Sequence, residues 1–232
     1  MFQEWSKFFF HRQTGMSVLE QGWRILEHWD DFLAPYKQAV EELKVKLKGM
    51  RTQFEREHVH SPIEFVTGRV KPIVSILDKA ADRNIPLDKL ETEMQDIAGL
   101  RMMCQFVDDI KKVVELLRKR NDFEVIEERN YISQKKASGY RSYHVVIRYP
   151  VQTINGEKKI LAEIQIRTLS MNFWATIEHS LNYKYKGDFP EDIRVRLQRA
   201  AEAAFSLDEE MSKIRLEIQE AQRIFSRKKE NR

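Results

Sequence analysis

Apolar residues recur at intervals of three and four along two long stretches, one near each end of the chain. Between them the apolar positions alternate or cluster in short runs. From Pro35 onward, Val40, Leu43, Leu47, Met50 and Phe54 form one stripe, with Lys44, Lys46, Lys48 and Arg51 off it. That spacing predicts an amphipathic helix. The last stretch has the cleanest pattern. Ile193, Leu197, Ala200, Ala204, Leu207, Met211, Ile214, Ile218, Ala221 and Phe225 step by four and three. This heptad seam predicts a long helix packed on a partner. Another subunit would serve, and so would the chain's own N-terminal helix.

The middle of the chain reads as mixed structure. In "SPIE" (61–64), Ser61 can cap a helix, Pro62 suits its first position and Glu64 can close a capping box. A helix is predicted there, interrupted by Gly68 and by Pro72, which disfavours the α region at Lys71. A second helix restarts at Pro72 and runs to about Asp82. "IAGLRMMCQF" (97–106) is a buried strand, and 107–120 is a helix with Ile110, Val113, Val114 and Leu117 inward. "FEVIEERNYI" (123–132), "YRSYHVVIRYP" (140–150) and "KKILAEIQIRT" (158–168) are further strands, the last two joined by a turn at Gly156. Residues 168–186 return to helix, with Trp174, Ile177 and Leu181 on one stripe. Residues 1–25 hold Trp5, Phe8, Phe9, Phe10 and Gly15 without a steady period and read as a weakly structured extension. The order of helices, then a sheet with few crossovers, then helices predicts an α+β fold rather than a doubly wound one.

Composition narrows this picture modestly. The chain has 232 residues, 42% hydrophobic and 33% charged, with a net charge of +4. A real core is affordable, and acidic ligands suit the charge without a general nucleic-acid coat being demanded. The single cysteine, Cys104, stands in an apolar run, which reads as a reduced thiol in a cytoplasmic protein with no disulfide framework. No apolar run approaches the ~18 residues of a spanning helix. The N-terminus lacks the apolar region and small-residue cleavage site of a signal peptide. Neither membrane insertion nor export is expected.

Three constellations bear on chemistry. In "GRVKPIVSILDK" (68–79), Arg69 and Lys71 precede a helix start, and Ser75 and Lys79 lie four apart on one face. A helix N-terminus flanked by cations suits a polyphosphate; a solvated basic face is the plainer alternative. In "QDIAGLR" (95–101), Asp96 stands before a buried strand that contains Arg101. Such an arginine must reach an edge or a partner, because a buried unpaired charge is costly. Asp96 could pair with a cation, bind a metal or serve a turn. In "ILAEIQIRT" (160–168), Ala162, Ile164 and Ile166 share one face, and Glu163, Gln165 and Arg167 the other. The polar row makes a good wall for a site. Asp96 and Glu163, from different strands, could clamp Mg²⁺ against phosphate oxygens, whereas a cross-strand ion pair would be purely structural. "EHVH" (57–60) lacks the further ligands of a zinc site, and no phosphate-binding glycine loop or serine nucleophile elbow is present.

In order, "GRVKPIVSILDKA", "DIAGLRMMC", "GYRSYHVVI", "EIQIRT" and "FWATIEHSLNYK" resemble the synthetase domain of RelA/SpoT homologues, which make the alarmones ppGpp and pppGpp of the stringent response. The resemblance spans about 29–225 and is nearest to the small, single-domain synthetases; the chain carries no His-Asp hydrolase doublet. It implies a nucleotidyltransferase-like mixed sheet of about five strands, flanked by helices, with residues 26–232 as one domain. The reaction implied is transfer of pyrophosphate from ATP to the 3′-hydroxyl of GDP or GTP, releasing AMP, with Mg²⁺ as cofactor. Carried over, Arg69 and Arg101 sandwich the adenine and Lys71, Ser75 and Lys79 hold the ATP phosphates. Asp96 and Glu163 bind Mg²⁺, and Glu163 takes or orients the hydroxyl proton. Tyr140 stacks on guanine, Asn172 reads its edge, and Lys136, Arg141 and His144 lie near the acceptor phosphates. The resemblance further implies a homotetramer and an allosteric alarmone cleft at Lys44, Lys48, Phe65 and Thr67. Residues 1–25 lie outside the resemblance, and a native start near Leu26 is one expectation.

Two other functional classes use some of the same residues. An RNA- or nucleotide-binding regulatory module without catalysis would use the basic and aromatic residues but has no need of the carboxylate pair. RNA binding could also coexist with catalysis. A helical scaffold would explain the heptad seam but leaves the polar strand face without a purpose.

Overall fold

The stripe of Val40, Leu43, Leu47 and Met50 lies buried against a five-stranded sheet in the computed structural model, which describes residues 18–185 and 189–230. It belongs to helix α1 (Val18–Arg56), which starts ahead of the predicted boundary and includes residues 18–25. Residues 1–17 of the predicted extension lie outside the described residues. Pro35 sits inside α1 rather than at its start. An interior proline costs about 3 kcal/mol, but Leu33, Tyr36 and Ala39 around it are all buried in the core. Packing of that face outweighs the local preference.

The capped helix predicted from Ser61 does not form: 61–64 make a turn and 65–70 a strand. Ser61 Oγ accepts a hydrogen bond from the Ile63 N–H, two residues on, so its side chain closes a tight turn and not a helix. Strand β1 (Phe65–Val70) then pairs antiparallel with β2 (Ala98–Cys104). Between them are helix α2 (Ile73–Asp82) and a one-turn helix α3 (Leu90–Glu93). Pro72 is the N-cap of α2, as its sequence position predicts. Next come α4 (Val107–Arg118), β3 (Glu124–Asn130), β4 (Tyr143–Thr153) and β5 (Gly156–Thr168). Helices α5 (Leu169–Lys184) and α6 (Glu191–Glu230) complete the chain.

The strand order is β1-β2-β5-β4-β3. Only β2 and β5 run parallel; the other neighbours are antiparallel. This is the expected α+β fold with a mixed sheet. Val145, Ile147, Ala162, Ile164 and Ile166 join α1 and α4 in one core. The alternate residues of the same strands therefore point to the other face. A register shift between Val125 and Glu127 leaves Ile126 out of the pairing and moves Glu127 and Arg129 from Val125's face to this second face.

Helix α6 packs on α5 and α4. The side it buries carries Ala201, Ala204, Phe205 and Asp208. Most of the heptad seam, including Leu207, Met211, Ile214 and Ile218, stays exposed on the next side of the helix. Its partner is thus not α1 of the same chain.

Candidate active site

One row of side chains crosses every strand of the second sheet face. Thr67 pairs with Arg101, Arg101 with Gln165, Gln165 with His144, and His144 with Arg129. Along β5, Glu163, Gln165 and Arg167 share that face, as their alternation predicts. Gly99 is opposite Glu163 in the next strand, so no side chain stands between them.

Two recesses open over this row. The larger, about 360 Å³, is lined by Lys79, Arg83, Asp96, Arg129, Lys136, Tyr140, His144 and Glu163, among others. The smaller, about 90 Å³, is lined by Thr67, Arg69, Arg101, Asp96, Glu163 and neighbours. Asp96, Glu163 and Gln165 line both. The two carboxylates singled out in the sequence therefore stand where the recesses meet.

Asp96 is held by two lysines. Lys71 Nζ lies 3.1 Å and Lys79 Nζ 2.7 Å from its Oδ2. Burial raises the Asp96 pKa, but these bonds and charges outweigh it and hold the carboxyl below its usual value. Burial also pushes the Lys79 ammonium down, in spite of Asp96. The other oxygen, Oδ1, is buried and has no hydrogen-bond partner among the described residues. Such an orphaned carboxylate oxygen fits a divalent cation.

Glu163 is buried and doubly bonded. His144 Nδ1 lies 3.0 Å from Oε1, and Gln165 Nε2 donates to Oε2 at 2.7 Å. Burial raises its pKa, but His144, Gln165 and the charge of Lys79 reverse this and hold it at about 2. The group is therefore an ionised hydrogen-bond acceptor at neutral pH and a weak base.

Arg69 and Arg101 share the smaller recess, as a sandwich requires. Burial and the nearby charges of Arg167 and Arg69 push the Arg101 pKa down. Crowded guanidinium planes favour a flat electron-rich partner between them. Ser75 is in the first turn of α2, on the same side as Lys79 but outside both recesses.

The loop before β4 supplies Tyr140. Gly139 has φ +89°, a conformation that suits glycine, and a Cβ there would lie 2.6 Å from the Cβ of Ala201 on α6. The Tyr140 hydroxyl lies 2.8 Å from His144 Nε2. Lys136 Nζ stands 4.8 Å from the Tyr131 ring centroid and 5.1 Å from that of Tyr140. A tyrosine-lined wall with a cation above it suits a nucleobase and its phosphates.

Some expected residues go elsewhere. Arg141 lines neither recess. It is buried against α6, donating to Glu202 at 2.8 Å and stacking over Phe205 at 4.0 Å. Asn172 lines neither recess and accepts from Arg167 at 3.5 Å. Of the four residues expected in an allosteric cleft, Thr67 lines the smaller recess. Lys44 lies by Gly68 on the α1 side of the sheet and pairs with Glu41, and Lys48 is exposed on α1. Phe65 is exposed on the edge strand. The single chain does not gather these four into one site.

The sequence reading missed Arg129, Tyr131, Gln95 and Arg83. Arg129 is bonded to Glu127 and Gln95 and lies 4.0 Å from Glu163. Its signal was hidden by the bulge at Ile126, which no residue type announces. Tyr131 packs edge-on to His144 at 5.1 Å.

Residues 68–188 match the region found in RelA/SpoT proteins. The chain is 68% identical over 203 residues to GTP pyrophosphokinase YjbM of Bacillus subtilis, covering 88% of this chain and 96% of that one. The crystal structure of small alarmone synthetase 1 from Bacillus subtilis bound to its product pppGpp superposes with a TM-score of 0.81, at 67% identity, over 83% of this chain and 99% of that one. The same synthetase bound to AMPCPP gives a TM-score of 0.75 at 64% identity, over 84% and 99% of the two chains. Five motifs in order, two recesses joined at a carboxylate pair, and these similarities agree: the chain belongs to the RelA/SpoT family.

Proposed function

We propose that the chain is a (p)ppGpp synthetase, a GTP pyrophosphokinase that uses ATP as donor and GDP or GTP as acceptor. The observation that carries this is the meeting of two recesses at Asp96 and Glu163. Arg69 and Arg101 would grip the donor adenine. Lys71 and Lys79, with the N-terminus of α2, would hold its phosphates. Tyr140 would stack on the acceptor guanine, with Lys136 near its phosphates.

The acceptor 3′-oxygen bonds to the β-phosphorus of ATP, the bond from that phosphorus to the bridging oxygen of AMP breaks, and AMP leaves. With a pKa of about 2, Glu163 is better suited to orienting the hydroxyl than to removing its proton early. In a loose phosphoryl transfer, little proton abstraction is needed before the new bond forms. His144 and Gln165 fix the carboxylate so that it cannot turn away.

Asp96 and Glu163 would hold Mg²⁺, an ion usually bound by one or two carboxylates plus substrate phosphates. When bound, it would neutralise charge building on the transferred phosphates. The free Oδ1 of Asp96 supports this.

The exposed seam of α6 supports a homo-oligomer, a tetramer in our reading. An alarmone cleft formed by Lys44, Lys48, Phe65 and Thr67 would then need a neighbouring subunit to complete it. Added pppGpp should shorten any lag in the reaction, and Phe65→Ala should remove that effect. The buried, unpaired Cys104 supports a cytoplasmic setting. No helix among the described residues is long and apolar enough to cross a membrane. A non-catalytic RNA-binding module would have no use for the carboxylate pair of Asp96 and the buried Glu163.

The test uses ATP labelled in its β- and γ-phosphates, incubated with GDP or GTP and Mg²⁺ and separated by chromatography. Label should appear in a guanosine product together with an equal amount of AMP, and chelating the metal should stop both. Release of ADP or inorganic phosphate without a labelled guanosine product would overturn the assignment.

A further inference from the structure

A closed ring of hydrogen bonds lies on the site face of the sheet. Arg167 Nη2 donates to the Tyr140 hydroxyl oxygen at 2.6 Å and to Gln165 Oε1 at 2.7 Å. The Tyr140 hydroxyl meets His144 Nε2 at 2.8 Å, and His144 Nδ1 meets Glu163 Oε1 at 3.0 Å. Gln165 Nε2 returns to Glu163 Oε2 at 2.7 Å. One assignment satisfies every link. Arg167 donates to tyrosine, the tyrosine O–H donates to Nε2, and the imidazole carries its proton on Nδ1 and donates it to Glu163.

Strand register builds this ring. His144 and Gln165 are direct neighbours across β4 and β5, and Glu163, Gln165 and Arg167 alternate along β5. Tyr140 alone comes from a loop. Arg167 is buried, and its Nη2 alone reaches the loop residue and the strand residue, while Nε and Nη1 face Ser142 Oγ and Asn172 Oδ1 at 3.4 and 3.5 Å. A lysine could not hold all four partners from one planar group.

We propose that Arg167 is a positioning residue for the transfer reaction, acting through the Tyr140 hydroxyl and Gln165. It joins the stacking platform of the acceptor base to the carboxylate that orients the acceptor hydroxyl, so the two are held as one unit. This rests on the synthetase reading above. Tyr140 thus has two separable parts: a ring face that binds and a hydroxyl that aligns.

The test is steady-state kinetics, with GDP and ATP each varied, on wild type, Tyr140→Phe, Arg167→Gln and the double variant. Tyr140→Phe keeps the ring, so the KM for GDP should stay within about threefold while kcat falls about tenfold or more, as expected for a lost alignment. Arg167→Gln should give a similar kcat loss. The double variant should lose no more than about twofold beyond the worse single, because both changes open the same ring. A Tyr140→Phe enzyme with wild-type kcat would overturn the proposal, as would a double variant whose losses multiply. If Arg167→Gln does not fold, the division between kcat and KM in Tyr140→Phe decides. A wild type that transfers nothing would instead overturn the synthetase reading, and the positioning role with it.

Discussion

The Arg141 guanidinium lies 2.8 Å from the Glu202 carboxylate, and this pair ties the loop before β4 to the C-terminal helix. Lys135, from the same loop, reaches the other oxygen of Glu202. Arg141 is nearly buried, and its Nε has no partner among the described residues. Glu202 therefore takes the one side-chain hydrogen bond that Arg141 makes among the described residues. Glu202→Gln removes the charge and keeps the shape. The loop should loosen, and the KM for GDP should rise about three- to tenfold, in line with about 1 kcal/mol for a weakened charged bond. The KM for ATP should hardly change, since the smaller recess, proposed for the donor, has no residue from this loop. Initial rates at varied GDP and at varied ATP check this; equal changes in both constants would count against it.

Asp109 gives a prediction about pH. It is buried at the start of α4 and bonded by His60 at 3.0 Å and by Arg215 of α6 at 3.1 Å, with Lys112 at 3.2 Å. Burial raises its pKa, but the bonds to His60 and Arg215 and the charge of Arg215 more than reverse this. The folded value is thus below the unfolded value of about 3.9. Its stabilising contribution is complete above the unfolded value and is lost as pH falls through the folded one. Asp109→Asn should be clearly less stable than wild type at pH 7, with the gap closing as pH falls from about 5 towards 3. Urea unfolding at pH 7 and at pH 3 measures this, and a gap that stays constant would contradict it.

The heptad seam predicts assembly through α6. Leu207 is 57% and Ile214 39% exposed in the single chain. An apolar row of this kind marks an interface. Leu207→Glu with Ile214→Glu should convert the oligomer to protomers in light scattering, with the far-ultraviolet helix signal retained. An unchanged mass would place the interface elsewhere.

The β5 wall was legible because a fully alternating strand leaves no doubt about which residues share a face. Helix α2 was legible because Pro72 marks its start. Strand β1 was not, because Ser61 and Glu64 fit a capping box equally well until the pairing of 65–70 with β2 is known. Arg129 was hidden because a bulge reverses the alternation without a sequence signal. The Arg141 contact was not legible because its partner Glu202 comes from a distant helix, and a motif does not show which way an arginine points. The pattern of α6 showed one stripe where the helix has two. The packed stripe sets one aromatic, Phe205, between Ala201 and Asp208, a small and a polar residue that hydrophobic periodicity does not detect.

The carboxylate junction is tested most directly by Glu163→Gln. Calorimetric titration of AMPCPP and GDP without Mg²⁺ should give dissociation constants within about threefold of wild type, because the groups proposed for the bases and phosphates are untouched. AMP formation, followed in the same preparation with ATP, GDP and Mg²⁺, should fall by about a thousandfold or more. Turnover within tenfold of wild type would show that the acceptor hydroxyl is oriented by some other group.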